Sequence, residues 1–309
     1  MSASGGSKAI VAAFLANMGI AAAKFVGFIV TGSSSMLAES IHSVADSGNQ
    51  ALLVLGQKRG RRDRDEAHPF GHGRERYFWA FVVALVLFTL GAVFSIYEGI
   101  HKLQHPEHLE SAEWAIGILL VAICLEGYSF RTAIHESNLV RGPQGWATFI
   151  RRSRSPELPV LLLEDFGALI GLTLALAGVS LTVLTDDPMW DAIGTISIGS
   201  LLAVIAVVLA TEMKSLLMGE TATVEDQAKI IDAIEDAPSV ESVIYVRTQH
   251  IGPDDILVGA KVDFDHELSM SGVATAIDDV EARIRVAVPT ATTIFVEPDI
   301  LRSQPQNES

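Results

Sequence analysis

Residues 36–55 read MLAESIHSVADSGNQALLVL. The stretch has the length and flanks of a membrane span, yet it carries Glu39, His42, Asp46 and Asn49. Wound as an α-helix, it places His42 and Asp46 about 40° apart on one face, one turn from each other. Glu39 falls on the same side. An ionisable group at membrane depth costs roughly 2.5–3.5 kcal/mol even on a lenient insertion scale, so such groups mark function. An imidazole and a carboxylate one turn apart are half of a divalent-metal site.

Five other stretches reach span length: residues 9–30, 77–100, 114–134, 159–184 and 190–213. The loop after residue 55 carries seven bases, Lys58, Arg59, Arg61, Arg62, Arg64, Arg74 and Arg76. The loop between the fourth and fifth spans carries Arg141, Arg151, Arg152 and Arg154, and the alternate loops are nearly bare of bases. The excess of bases predicts six spans with both termini in the cytoplasm. Residues 9–30 are too long for a signal-peptide core and read as a retained first span.

The formal net charge of −15 is unevenly placed. From residue 219 onward there are 18 Asp/Glu and 6 Lys/Arg; the first 218 residues hold 19 and 16. An apolar, nearly balanced region is thus followed by an acidic one, which argues against nucleic acid as a partner. The one cysteine, Cys124, excludes an intrachain disulfide. The acidic part reads as a small α+β domain. Residues 224–237 form a helix with Ile230, Ile231 and Ile234 inward. Residues 240–250 form a strand with Ser242, Ile244, Val246 and Thr248 on one face. Residues 256–264 follow as a strand after a turn at 252–255. A helix then carries Val273, Ile277, Val280 and Ile284, and 292–297 is a last strand. The predicted order is α-β-β-α-β. The domains read as 1–218 in the membrane, 219–301 as the α+β domain and 302–309 as a disordered tail.

The fifth span opens LLLEDFGALIGL at residues 161–172, with Glu164 and Asp165 in an apolar setting. Gly167, Gly171 and Ala175 form a small-residue strip for close helix contact, or ordinary membrane-helix composition; Asp165 faces away from it. Two facing helices could close a tetrahedral site from His42, Asp46 and Asp165. Lys24 must face protein or water, and Asn17 and Glu126 read as packing bonds or part of a vestibule. His101, His105 and His108 could bind a released ion weakly on the outer side.

The chain resembles the cation diffusion facilitators, the zinc-type metal/proton antiporters. The likeness lies in AESIHSVAD (38–46), HPFGHGRER (68–76), YEGIHKL (97–103), HPE (105–107), DDPMWDAIGTISIG (186–199) and SLLMGE (215–220). It implies six spans, a cytoplasmic metallochaperone-like domain used for dimerisation and regulation, and a homodimer in a lipid bilayer. It further implies export of a divalent ion in exchange for protons, and the plasma membrane of a prokaryote as location. Zinc leads, with iron(II), cobalt(II) or manganese(II) open. The family draws two ligands from the second span and two from the fifth. His42, Asp46 and Asp165 match three of them, and Leu161 stands where the fourth would fall. Glu164, Glu39 or water could fill that position; Glu164 would need a rotated or locally unwound helix. Asp65, His68 and His72 match a loop metal site of some relatives, or shape a solvated loop. The two-zinc cluster of some relatives is not expected, because the matching strand positions are Ile244 and Ala260, read as core. The chain has no H-E-x-x-H: His135-Glu136 continues as Ser137-Asn138-Leu139. It reads as a transporter and not an enzyme, with a non-transporting metal sensor or scaffold, and then an intramembrane metalloenzyme, as the other readings.

A Leu161→His change should tighten zinc binding, read by titration calorimetry. Unchanged affinity for every metal would refute an open position there.

Overall fold

The computed structural model describes residues 18–106 and 112–302. Asn17, His108 and residues 303–309 lie outside the described residues, as does the start of the first expected span. Helix α1, Met18–Thr31, leads into α2, Ser34–Gly60, across Gly32, whose φ of +65° is open to glycine. Next come α3, Glu75–Val86, a π-helical stretch, Leu87–Val93, and α4, Phe94–Gln104. These three run on as one helix, Glu75–Gln104. Then follow α5, Ala112–Arg141, a short α6, Trp146–Arg152, α7, Glu157–Thr185, and α8, Met189–Met218. Helices thus stand at all six expected places, and α6 is an addition. Among the described residues, four are long and apolar enough to cross a membrane: the α3–α4 rod, α5, α7 and α8. Helix α2 has the length, but its polar residues set it apart from these four.

The chain forms two compact units. One holds residues 1–58 and 77–214; the other holds 59–76 and 215–309. The basic loop therefore packs with the acidic domain, a grouping that a linear boundary near residue 219 does not capture.

In the first unit, glycines let the helices approach. A Cβ on Gly167 would lie 2.7 Å from Ile205 Cδ1, and one on Gly178 would lie 3.0 Å from the Trp190 carbonyl. The small-residue strip of α7 therefore packs on α8. The α3–α4 rod approaches α8 as closely. A Cβ on Gly99 would sit 3.0 Å from the Ala192 carbonyl, and one on Gly199 would sit 2.9 Å from that of Ala92. Asp191, near the start of α8, ties this packing to α2. Its buried carboxylate accepts from the Ser34 amide at 2.8 Å, from Ser33 Oγ at 2.8 Å, from Ser34 Oγ at 3.0 Å and from Ser35 Oγ. The first amides of a helix have no partner within it, and an anion at that end suits the helix dipole. Asp191 thus caps α2 and sets where it begins.

The second unit carries α9, Val224–Glu235, β1, Val240–Gly252, β2, Asp255–Phe264, α10, Met270–Ala287, and β3, Thr293–Pro298. The expected order holds. Thr223 and Ser269 cap the two helices by accepting from Asp226 N at 3.1 Å and Gly272 N at 3.2 Å. The sheet order is β1-β2-β3, with β1–β2 antiparallel and β2–β3 parallel. Ile256, Val258, Ala260, Val262 and Phe264 all point into the core against Ile230, Ile234, Val280 and Ile284. One expectation is corrected. Ile244 is half-buried and stands outside this core, whereas Val243 and Val246 pack against it. The register of β1 shifts between Val243 and Tyr245. A bulge adds one residue and reverses which side chains face inward.

Gly99→Ala and Gly199→Ala should each lower the melting temperature of the protein in detergent, because a methyl there meets helix backbone; overpacking costs about 1–3 kcal/mol. Gly117→Ala, which faces open space inside α5, should not lower it, because alanine is the better helix former.

Candidate metal centres

Each side chain singled out on α2 finds a different setting. His42 and Glu39 are buried. His42 Nε2 lies 3.5 Å from Asp46 Oδ2, too far and too poorly aligned for a hydrogen bond. Both ring nitrogens of His42, and Oδ1 of Asp46, are buried without a hydrogen-bond partner. Buried polar atoms are nearly always bonded, so three orphans within one turn demand an explanation. One nitrogen of a neutral imidazole and a carboxylate oxygen are lone-pair donors of the kind that hold a metal ion.

Helix α7 brings Asp165 to the same place. Asp165 and Asp46 line one narrow polar cleft with Ser43, Gln50, Glu126 and Ser129. Asp165 Oδ2 accepts from Ser129 Oγ of α5 at 2.9 Å, away from the glycine strip as expected. Glu126, one of the intramembrane polar residues noted in the sequence, also lines this cleft. Glu164 points elsewhere. Helix α7 is continuous through it, and Glu164 Oε1 accepts from Asn49 Nδ2 at 2.7 Å. The local unwinding that would bring it beside Asp165 is not seen. Leu161 is half-buried.

Lys24 of α1 faces protein and not lipid. It is fully buried and pairs with Glu39 Oε2 at 3.2 Å and with Ser43 Oγ at 2.7 Å. The lysine was visible in the sequence, but its partner lies fifteen residues away and no spacing rule links the two. Ser129 and Gln50 carried no signal of their own, because serine and glutamine on a long helix are unremarkable.

The loop residues converge most tightly. Asp65, His68 and His72 are the only group of three or more His, Cys, Asp or Glu, among the described residues, whose ligand atoms all lie within 4.8 Å of one another. The intramembrane set His42, Asp46 and Asp165 is more open than that. Asp65 Oδ1 accepts from the His68 amide at 2.7 Å and lies 3.1 Å from His68 Nδ1; Oδ2 lies 3.1 Å from His72 Nε2. The His68 amide, helped by both rings, holds the Asp65 carboxyl below the usual aspartate range. The loop is seated within its unit by backbone. A Cβ on Gly73 would lie 2.7 Å from Gly252 Cα. Arg76 Nη1 donates to Asp254 Oδ2 at 2.7 Å, and Arg64 Nη2 donates to Thr292 and Thr293 Oγ1 at 3.2 Å. His250 is buried and His266 meets Asp263 Oδ1 at 3.0 Å. His101 and His105 are exposed, with rings stacked 4.8 Å apart.

A family model described as the cation efflux transmembrane domain matches residues 10–218. The proton-coupled zinc antiporter SLC30A9, mitochondrial, of Mus musculus is 35% identical over 246 residues, 78% of this chain and 43% of that protein. The magnetosome protein MamB of Paramagnetospirillum magneticum is 24% identical over 288 residues, 93% of this chain and 92% of that one. The solved MamM-CTD covers 25% of this chain and 95% of its own, at 22% identity and a TM-score of 0.24. The chain spans less than half the length of the zinc antiporters it matches.

Within the second unit, Gly252→Val should lift the loop off the β1–β2 turn. Trypsin should then cut at Arg61 and Arg62 about tenfold faster, since cleavage follows the opened population and each 1.4 kcal/mol is a factor of ten. An unchanged rate would mean that the two glycines do not hold the loop.

Proposed function

Because the chain belongs to the cation efflux family, the cation diffusion facilitators, we propose that it exports a divalent transition-metal ion from the cytoplasm in exchange for protons. The observation that carries this reading is the set of unpaired buried atoms on α2, His42 Nδ1 and Nε2 and Asp46 Oδ1, beside the cleft that Asp46 shares with Asp165. They form the transport site. Zinc suits a mixed nitrogen and oxygen set, and iron(II), cobalt(II) or manganese(II) fit the same ligands less selectively.

The ion binds neutral imidazole and ionised carboxylate, so protons compete with it for His42, Asp46 and Asp165. Facing the cytoplasm, the site takes the ion and releases protons. Facing outward, it is reprotonated and the ion leaves. Alternating exposure of one site therefore suffices to couple the two flows. The cleft between α2, α5 and α7 is where opening occurs, with Glu126 drawing the cation in.

Six spans with both termini cytoplasmic fit this cycle. The four apolar helices, from Glu75 to Met218, return the chain to the unit it left after residue 76, and the bases of the 59–76 loop mark the cytoplasmic side. Asp65, His68 and His72 form a second metal site there. The chain works as a homodimer. A non-transporting metal sensor is the second reading, favoured by the tight convergence of the loop triad and by Leu161.

Zinc flux into proteoliposomes under a pH gradient separates the two. Asp46→Ala and Asp165→Ala should each abolish flux while the protein stays monodisperse and folded. Wild-type flux in both would sink the site assignment, and binding without flux in the native chain would favour the sensor.

A further inference from the structure

The cleft shared by Asp46 and Asp165 is lined by a third carboxylate, Glu126 of α5, and among the described residues by no lysine or arginine. Glu126 and Ser129 stand three residues apart in one helix, so they share a face. Ser129 Oγ donates to Asp165 Oδ2 at 2.9 Å, which turns that face towards the proposed ligands. Other polar groups nearby are committed. Lys24 is taken by Glu39 and Ser43, and Glu164 accepts from Asn49. Glu126 is half-buried and has no hydrogen bond or ion pair among the described residues. A carboxylate left so in an apolar bundle is costly unless it serves a cation or a proton. Next to Asp46, His42 is 1% exposed. Both its ring nitrogens lack a partner, and Nε2 is turned to Asp46 Oδ2 at 3.5 Å. These four side chains converge less tightly than the loop triad. Like charges across a cleft repel, and a divalent ion held among them offsets that repulsion. On α7, Leu161 has no donor atom to offer.

We propose that the carboxylate of Glu126 is a direct ligand of the transported ion, supplied by α5 beside His42 and Asp46 of α2 and Asp165 of α7. This rests on the transport site proposed above and goes beyond it, because charge alone attracts any cation, whereas a ligand helps to choose one. The set is then one imidazole and three carboxylates. Such a set suits oxygen-seeking ions such as manganese(II) as well as zinc.

Spectroscopy separates a ligand from attraction at a distance. The full-length protein is studied in detergent, with Cys124→Ser to remove the native thiol and Asp65→Ala to silence the loop triad. Glu126→Cys then puts a thiolate, itself a metal ligand, at the site. Co²⁺ bound to this protein should show the intense near-ultraviolet thiolate-to-cobalt charge-transfer band, which the same protein with Glu126 lacks. Co²⁺ bound without the band, at a site that Asp46→Ala abolishes, overturns the inference. Glu126→Gln keeps the shape of the side chain and should weaken Zn²⁺ binding at least about tenfold, since losing groups that only surround a ligand already costs about 10- to 100-fold. The loss should persist at high salt, where attraction at a distance is screened. Unchanged affinity, or a loss that disappears in salt, also overturns the inference. Asp46→Ala separates the two levels. Loss of zinc binding there with none in Glu126→Gln refutes Glu126 alone, whereas full binding in Asp46→Ala refutes the transport site and the inference with it.

Discussion

Polar groups inside an apolar helix bundle must find partners, and this constraint organises the first unit. Water is not there to serve them, so each buried charge recruits a neighbour from another helix. Asp191 takes three serines and an amide from the start of α2. Lys24 takes Glu39 and Ser43. Asn49 takes Glu164, and Ser129 takes Asp165. These bonds join α1, α5, α7 and α8 to one another or to α2. Among the buried atoms left unpaired are both ring nitrogens of His42 and Asp46 Oδ1, which belong to the proposed transport site.

The glycine contacts work beside this pairing. Gly99 and Gly199 bring α4 and α8 together at backbone distance, and Gly171 leaves space against α2 for a carboxylate oxygen. The same residue type thus serves two ends: dense packing where the helices meet, and room where a buried carboxylate oxygen stands. The π-helical stretch at Leu87–Val93 lies against the Gly199 contact through Ala92.

The loop after α2 shows how sequence neighbours and spatial neighbours part. Its residues 59–76 fold with the acidic domain, seated on two glycines and on the bonds of Arg64 and Arg76. A cluster of two imidazoles and an aspartate is thereby built against that domain and not on a free connection. A change at the triad is therefore felt by the domain that carries it.

The sequence alone determined the helical order and the acidic α-β-β-α-β domain, and it singled out the residues on α2 and α7 proposed to carry the chemistry. These follow from local rules: apolar length, helical and strand periods, and the cost of a charge in lipid. Only the tertiary structure decided which polar groups are spent on one another. Glu164 could be read as a neighbour of Asp165, yet it bonds Asn49. Lys24 and Glu39 stood in separate spans with nothing in their spacing to join them. Ile244 fell on the core face by strict alternation until a register shift moved it out. Each of these outcomes depends on contacts between segments far apart in the chain, and period and composition hold no record of such contacts.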